Sequence, residues 1–187
     1  MAAEIEAKMK VEGFDSLRNR LAERGAHRVG SALETNTFFD TPDRSLLAKD
    51  KGLRIRRTRD DVSGRERFVV TFKGPQQNGP LKRREEVEVE VVSGDDAERL
   101  LKALGYDPTL SFQKRRESWK LDECKVELDE LPILGRFVEI EGPDQATVMR
   151  VREKLHMSDQ PLIKTSYIAI LAAHLKETND PRRSVTF

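Results

Sequence analysis

Carboxylates recur at every second position along this chain: Glu4 and Glu6; Glu86, Glu88 and Glu90; Glu127 and Asp129; Glu139 and Glu141. Lysines and arginines show the same spacing at Lys8 and Lys10, Arg54 and Arg56, Lys82 and Arg84, and Lys114 and Arg116, with Lys73 two residues after Thr71. In an extended strand, residues two apart share a face and stand about 7 Å apart along it. Carboxylates held in such pairs repel unless something cationic lies between them. Oxygen pairs suit Mg²⁺ or Mn²⁺, which keep waters and substrate phosphates as their other ligands. Paired Lys and Arg suit a polyanion, with Arg able to fork onto phosphate oxygens. The two sets together suggest a metal-dependent phosphate site. The alternative is a solvated sheet face whose charges pair across strands. These faces are nearly free of the Ser, Thr, Asn and Gln that usually dilute a solvated face, which favours the site.

The elements that must carry these residues are mostly strands. Residues 4–12 alternate, with Ile5, Ala7, Met9 and Val11 on the face opposite the charges. A helix is predicted over 15–24, with Asp15 as N-cap and Gly25 as terminator. A strand over 33–40 ends in Phe38-Phe39-Asp40. Thr41-Pro42-Asp43 then starts a short helical turn, with Thr as cap, Pro at the first position, and Leu46 and Leu47 facing the core. Strands follow at 53–59 and 66–73. A Gly/Pro-rich loop, 74–80, is a candidate lid, and residues 81–92 form the longest alternating run. A helix over 95–104, capped by Ser93 or Asp95, precedes strands at 111–121, 124–130 and 136–141. Helices to about His156 and over 165–176 complete the domain, which spans 1–176. The polar tail, 177–187, is predicted to be disordered. Strands that follow one another directly argue an antiparallel α+β sheet, with apolar outer faces for the helices to cover.

Composition narrows the function. The chain has 187 residues and a formal net charge of +1, so no global field favours nucleic acid or a membrane, and an anion would need a local cluster. Cys124 is the one cysteine, which excludes an internal disulfide and fits a reducing cytoplasm. The N-terminus lacks an apolar signal core, and no run reaches membrane-spanning length. His27, His156 and His174 lack zinc-site spacing. No Walker loop, zinc helix or Ser/His/Asp arrangement is present, so other common phosphate chemistries lack their parts.

The stretch Glu4-Ile5-Glu6-Ala7-Lys8 resembles the E-x-E-x-K signature of the CYTH superfamily, the triphosphate tunnel metalloenzymes. Further landmarks follow in order: Thr37 to Pro42, Leu53 to Arg56, Thr71 to Pro75, Arg84 to Glu88, Lys114 to Arg116, Leu128-Asp129, Leu134 to Glu141, and Ser166-Tyr167. The resemblance covers about residues 4–172. It implies a closed antiparallel eight-stranded β-tunnel with a charged interior and helices packed outside. It implies Mg²⁺ or Mn²⁺ as cofactor, with Glu4, Glu6, Glu86, Glu88, Glu127, Asp129, Glu139 and Glu141 as the acids that hold it. Lys8, Lys10, Arg54, Arg56, Lys73, Arg84, Lys114 and Arg116 would hold the triphosphate, with Lys8 and Glu6 as the catalytic pair. Choosing Arg84 over Arg83, and Arg116 over Arg115, follows from alternation alone.

The segments Leu21 to Ala26, Thr37 to Pro42 and Leu104-Gly105-Tyr106 look closest to the class IV adenylyl cyclase branch, which forms cyclic AMP and pyrophosphate from ATP. A triphosphatase acting on inorganic or organic triphosphate would share the same lining, and so would a non-catalytic nucleotide or polyphosphate sensor. Retention of the full acid set argues for an enzyme. Homodimers are common in the class, by the same resemblance. No residue stands out in the sequence as an adenine reader; Trp119 and Phe112 read as packing residues.

Overall fold

The computed structural model describes residues 3–187, with side chains from Ile5 onward. Eight strands close on themselves. They are β1 (Ala3–Val11), β2 (His27–Asp40), β3 (Gly52–Asp60), β4 (Glu66–Lys73), β5 (Lys82–Val91), β6 (Asp107–Leu121), β7 (Cys124–Leu131) and β8 (Gly135–Gly142). Their order is β2-β3-β4-β5-β1-β8-β7-β6, all antiparallel neighbours, and β6 returns to pair with β2. The antiparallel α+β sheet expected from the order of strands, and its closure into an eight-stranded barrel expected from the resemblance, are therefore both present. A barrel of this size leaves an interior wide enough for side chains and one small ligand. Closure also removes the free edges that long strands would otherwise expose.

Alternation decides which residues face inward. The outer face of β1, β7 and β8 offers Ala7, Met9, Val126, Leu128, Val138 and Ile140, all nearly inaccessible. Helices α1 (Asp15–Glu23) and α4 (Gln145–Lys154) cover it with Leu17, Leu21, Val148 and Val151. Gly142 allows that approach: a Cβ there would lie 2.7 Å from Cys124 Sγ and 2.9 Å from Val148 Cγ2. A second outer core joins Ala97 and Leu101 of α3 (Gly94–Ala103) to Phe39, Leu53 and Ile55. A third cluster differs. Helix α5 (Tyr167–Glu177) sets Tyr167, Leu171 and Leu175 against Phe112, Leu131, Leu134 and Phe137. Phe112, Leu131 and Phe137 share the inward parity of their strands, so α5 closes one end of the barrel.

Several expectations change in detail. Strand β2 begins at His27, six residues before the predicted start, because it pairs with β6 from His27↔Lys120 onward. Phe14, not Asp15, precedes α1, with no side-chain cap. Ser93 does cap α3, accepting from Asp96 N at 3.1 Å. The short helix α2 spans Ser45–Ala48 and follows Arg44 in the left-handed region. Pro42 is therefore outside it, and Leu47 is 71% exposed rather than core-facing. Asp40 holds this turn by accepting from the backbone N–H of Thr41, Leu46 and Leu47. The predicted disorder of the tail fails at its end. Ser184–Val185 form a ninth strand, β9, parallel to β6, and Val185 is buried in the α5 cluster. One apolar residue at the right distance from a sheet edge outweighs the tail's polar composition. Cys124 is a free, buried thiol, pushed up to about 11 by burial and by Asp122. No described helix is long and apolar enough to cross a membrane.

Candidate functional site

A cavity of about 520 Å³ occupies the barrel interior and opens beside the turn at 44–52. Its charge is local rather than global. Among the described residues lining it, Lys and Arg outnumber Asp and Glu by more than two to one, although the whole chain is nearly neutral. Lys8, Arg54, Arg56, Lys73, Arg84, Lys114 and Arg116 all reach it, as do Glu6 and Glu139. Alternation also chose the inward member of each arginine pair: Arg84 and Arg116 line the cavity, and Arg83 and Arg115 are exposed.

Each strand places its cations by register. Arg54 on β3 faces Thr71 on β4 and donates to its Oγ1 at 3.0 Å. Lys114 and Arg116 on β6 lie beside Asp129 on β7. Lys114 Nζ donates to Asp129 Oδ2 at 3.1 Å, and Arg116 donates to both its oxygens at 2.7 and 2.5 Å. The Tyr167 hydroxyl adds a third donor to Asp129 at 3.1 Å. Arg116 also reaches Glu139 Oε2 at 2.7 Å. Lys8 lies between two acids, 3.2 Å from Glu139 Oε1 and 3.5 Å from Glu6 Oε1, with its ammonium 4.1 Å from the centre of the Tyr167 ring. It donates to the Thr165 carbonyl at 3.1 Å. Lys82 donates to Glu6 Oε1 at 2.7 Å.

The electrostatics follow from crowding. Burial would raise the Glu139 carboxyl, but Lys8, Lys114, Arg116 and Lys82 together hold it well below the usual carboxylate range. Glu34 is also held well below that range: burial opposes its charge, and Lys114, Arg116, Arg56 and Arg54 outweigh burial. Arg54 is pushed down to about 10, first by burial and then by the like charge of Arg56. Arg116 moves up, because Asp129 and Glu34 outweigh burial. Tyr167 is raised well above its ordinary value by burial and by Asp129 and Glu139, so its phenol stays protonated and donates. The Nε atoms of Arg54, Arg56 and Arg84 are buried and have no hydrogen-bond partner among the described residues. Buried donors without a hydrogen bond are costly, and these three belong to side chains that line the cavity, with Arg56 Nε 3.7 Å from Glu34 Oε2.

The remaining predicted acids are divided. Glu86 pairs with Lys73 behind the cavity wall. Glu88 is about half exposed and not part of the cavity lining; it accepts from Thr71 Oγ1 at 3.0 Å and lies 3.5 Å from Arg54. Glu127 accepts from Ser118 Oγ at 2.6 Å. Asp129 is fully inaccessible behind Arg116, Lys114 and Tyr167, where it organises cations instead of facing the cavity. Glu141 lies 3.5 Å from Lys125. Glu4 faces Arg84 in the register of β1 and β5, but its side chain is outside the described set. Lys10 is corrected: it is exposed, outside the cavity, with its ammonium 5.8 Å from the centre of the Phe137 ring. Its parity matches that of Lys8, but the plug formed by Phe137 and α5 separates the two.

Among the described residues, no three His, Cys, Asp or Glu side chains gather closely enough to hold a metal unaided. Glu6 and Glu139 still fit an Mg²⁺ or Mn²⁺ that is bound together with phosphate. Both are hard oxygen donors on the cavity wall, and each carboxylate has lone pairs beyond those used by its Lys and Arg neighbours.

Glu34, Asn36 and Tyr167 point inward yet are absent from the sequence-derived candidates, and Lys82, two residues before Arg84 in the same alternating run, shares the spacing of the predicted cations without a predicted role. Glu34 and Asn36 lie on β2 among Ser, Ala and Thr, where no charge alternation marks the strand. Tyr167 was visible only as part of the Ser166-Tyr167 landmark.

Known proteins give a consistent match. A family model described as the CYTH domain matches residues 2–167. The adenylate cyclase CyaB of Aeromonas hydrophila is 31% identical over 155 residues, covering 81% of this chain and 76% of that protein. A Methanocaldococcus jannaschii protein, named as a candidate adenylate cyclase, is 27% identical over 176 residues, covering 89% of this chain and 97% of its own. A solved structure from Pyrococcus horikoshii superposes with a TM-score of 0.80 at 26% identity, covering 91% of this chain and 99% of that one.

Proposed function

Because the chain belongs to the CYTH family, we propose that it is a Mg²⁺- or Mn²⁺-dependent enzyme of the class IV adenylyl cyclase kind, converting ATP to cyclic AMP and pyrophosphate inside the barrel. The observation that carries the reading is a cavity whose wall sets Arg54, Arg56, Arg84, Lys114 and Arg116 around two carboxylates, Glu6 and Glu139. The names of the Aeromonas and Methanocaldococcus relatives support a cyclase over other triphosphate chemistry.

The chain's own residues act by holding and orienting. Arg54, Arg56 and Arg84 take phosphate oxygens from one side of the barrel, and Lys114 and Arg116 from the other. Glu6 and Glu139 would hold the divalent ion, which supplies charge neutralisation at the phosphates when bound. Lys8, fixed between those two acids, orients the attacking hydroxyl and stabilises charge developing on phosphate oxygens. In cyclisation, the ribose 3′ oxygen bonds to the α-phosphorus, the bond to the bridging oxygen of pyrophosphate breaks, and the hydroxyl proton passes to solvent. Glu139 is held so far below its ordinary value that it is a poor base at neutral pH, which places the burden on positioning and charge.

The test is a product assay. Purified protein is incubated with ATP, and separately with inorganic triphosphate, each with Mg²⁺ and with Mn²⁺, and the products are separated by chromatography. Cyclic AMP with equimolar pyrophosphate is expected. Orthophosphate with no cyclic AMP would overturn the cyclase assignment in favour of a triphosphatase.

A further inference from the structure

Beyond the cation cluster, the cavity changes character at one residue. Asn36 lines it, is 1% exposed, and has neither its Nδ2 nor its Oδ1 hydrogen-bonded among the described residues. A buried amide with both ends unmet is rare in a folded protein and calls for an explanation. Its position supplies one. Across β3 its register partner is Arg56, part of the cation cluster; across β6 it is Phe112. Phe112 lies near-parallel to Phe38, with ring centres 6.1 Å apart and planes at 17°. Leu110, Ile168 and Ala172 continue this apolar wall toward α5. Asn36 therefore stands at the junction between a region that suits phosphate and a region that suits a flat apolar group.

We infer that Asn36 is the specificity-determining residue of the cavity, reading the donor–acceptor edge of a purine base joined to the phosphate chain. The inference rests on the reading of the cavity as a triphosphate site. A carboxamide offers one acceptor beside one donor, and so pairs with a base edge that sets a donor beside an acceptor, as adenine does at N6 and N7. Guanine presents two acceptors on the corresponding edge and would leave Oδ1 unmet. Phe38, Leu110 and Phe112 take the face of the base, where a planar ring gains from aromatic and aliphatic contact. Inorganic triphosphate fills the cationic part alone and leaves the amide unsatisfied.

Calorimetric titration of the full chain tests this, using ATP and GTP analogues with methylene bridges at both phosphate links and the matching bridged analogue of inorganic triphosphate. The adenine analogue should bind at least about tenfold more tightly than either other ligand, the scale of one buried polar group left unpaired. Asn36→Leu and Asn36→Ala should each cut the adenine-to-inorganic affinity ratio by about tenfold, while Arg54→Ala weakens all three ligands together. The comparison of the adenine and guanine ligands on the unaltered chain needs no variant to fold. Equal affinity for the two bases, or an adenine-to-inorganic ratio unmoved in both Asn36 variants, would overturn the inference. Failure of all three ligands to bind would overturn the triphosphate reading and this one with it.

Discussion

The barrel interior has two ends built on the same strands, and they solve opposite problems. On β6 the inward residues run Leu110, Phe112, Lys114, Arg116; on β2 they run Glu34, Asn36, Phe38. Within a few residues, one face passes from charge to hydrocarbon. Beyond Phe112 the apolar end is finished: α5 sets Leu171, 1% exposed, into the cluster there, while Phe38, Leu110 and Phe112 still line the cavity. The charged end is unfinished. Its acids and bases are paired, but arginine Nε donors remain unmet around a cavity. Packing thus stabilises the end that closes, and the end that holds the cavity keeps arginine Nε atoms without hydrogen bonds among the described residues. Asp129 joins the two, bonding Lys114 and Arg116 on one side and the α5 phenol of Tyr167 on the other.

Breaking that joint should have the largest effect. Asp129→Leu leaves two buried cations without their shared partner and should cost about 3–5 kcal/mol in urea denaturation. At the apolar end, Leu171→Ala should cost about 3 kcal/mol by cavity formation, with ligand affinity changed far less than stability. At the charged end the balance reverses. Lys8→Ala should lower kcat about a hundredfold, near 2.7 kcal/mol of barrier, with the circular dichroism spectrum unchanged.

Acidity separates the two ends further. The folded value of Glu139 lies below its unfolded value near 4.3, so its contribution is present above that pH and is lost as pH falls through the folded value. Stability should therefore drop by at least about 1 kcal/mol between pH 5 and pH 3, and Glu139→Gln should flatten this limb. Tyr167 has the opposite sign: its folded value is raised, so stability is full below about 10 and declines as pH rises beyond it. The smallest effect belongs to the outer surface. Arg67 and Glu90 pair at 2.9 Å with both side chains more than half exposed, and Arg67→Ala should cost less than about 0.5 kcal/mol.

The sequence was most legible where alternation was strictest. The strand predicted at 66–73 matches β4 end to end, and parity alone separated Arg84 from Arg83 and Arg116 from Arg115. The outer cores followed too, since Val, Ile and Leu of opposite parity must meet helices. Legibility failed where residues are small or contacts are distant. The early part of β2 is His-Arg-Val-Gly-Ser-Ala, a weak strand pattern stabilised by its pairing with β6 roughly ninety residues away. Asn36 is surrounded by Thr35 and Thr37, so nothing in one dimension marks it as buried. Lys10 shares the parity of Lys8, and only the three-dimensional position of Phe137 shows that the cavity ends between them. The distinction between an acid that lines the cavity, such as Glu139, and one that organises cations behind it, such as Asp129, is likewise a matter of depth that spacing does not encode.

A crystal structure of the chain with Mg²⁺ and the doubly bridged ATP analogue would test the division of the interior most directly. The account predicts phosphate oxygens against Arg54, Arg56 and Arg84, with the adenine against Phe38 and Phe112 and its edge on the Asn36 amide. Phosphates bound outside the barrel, or a base turned out to solvent with Asn36 still unpaired, would contradict it.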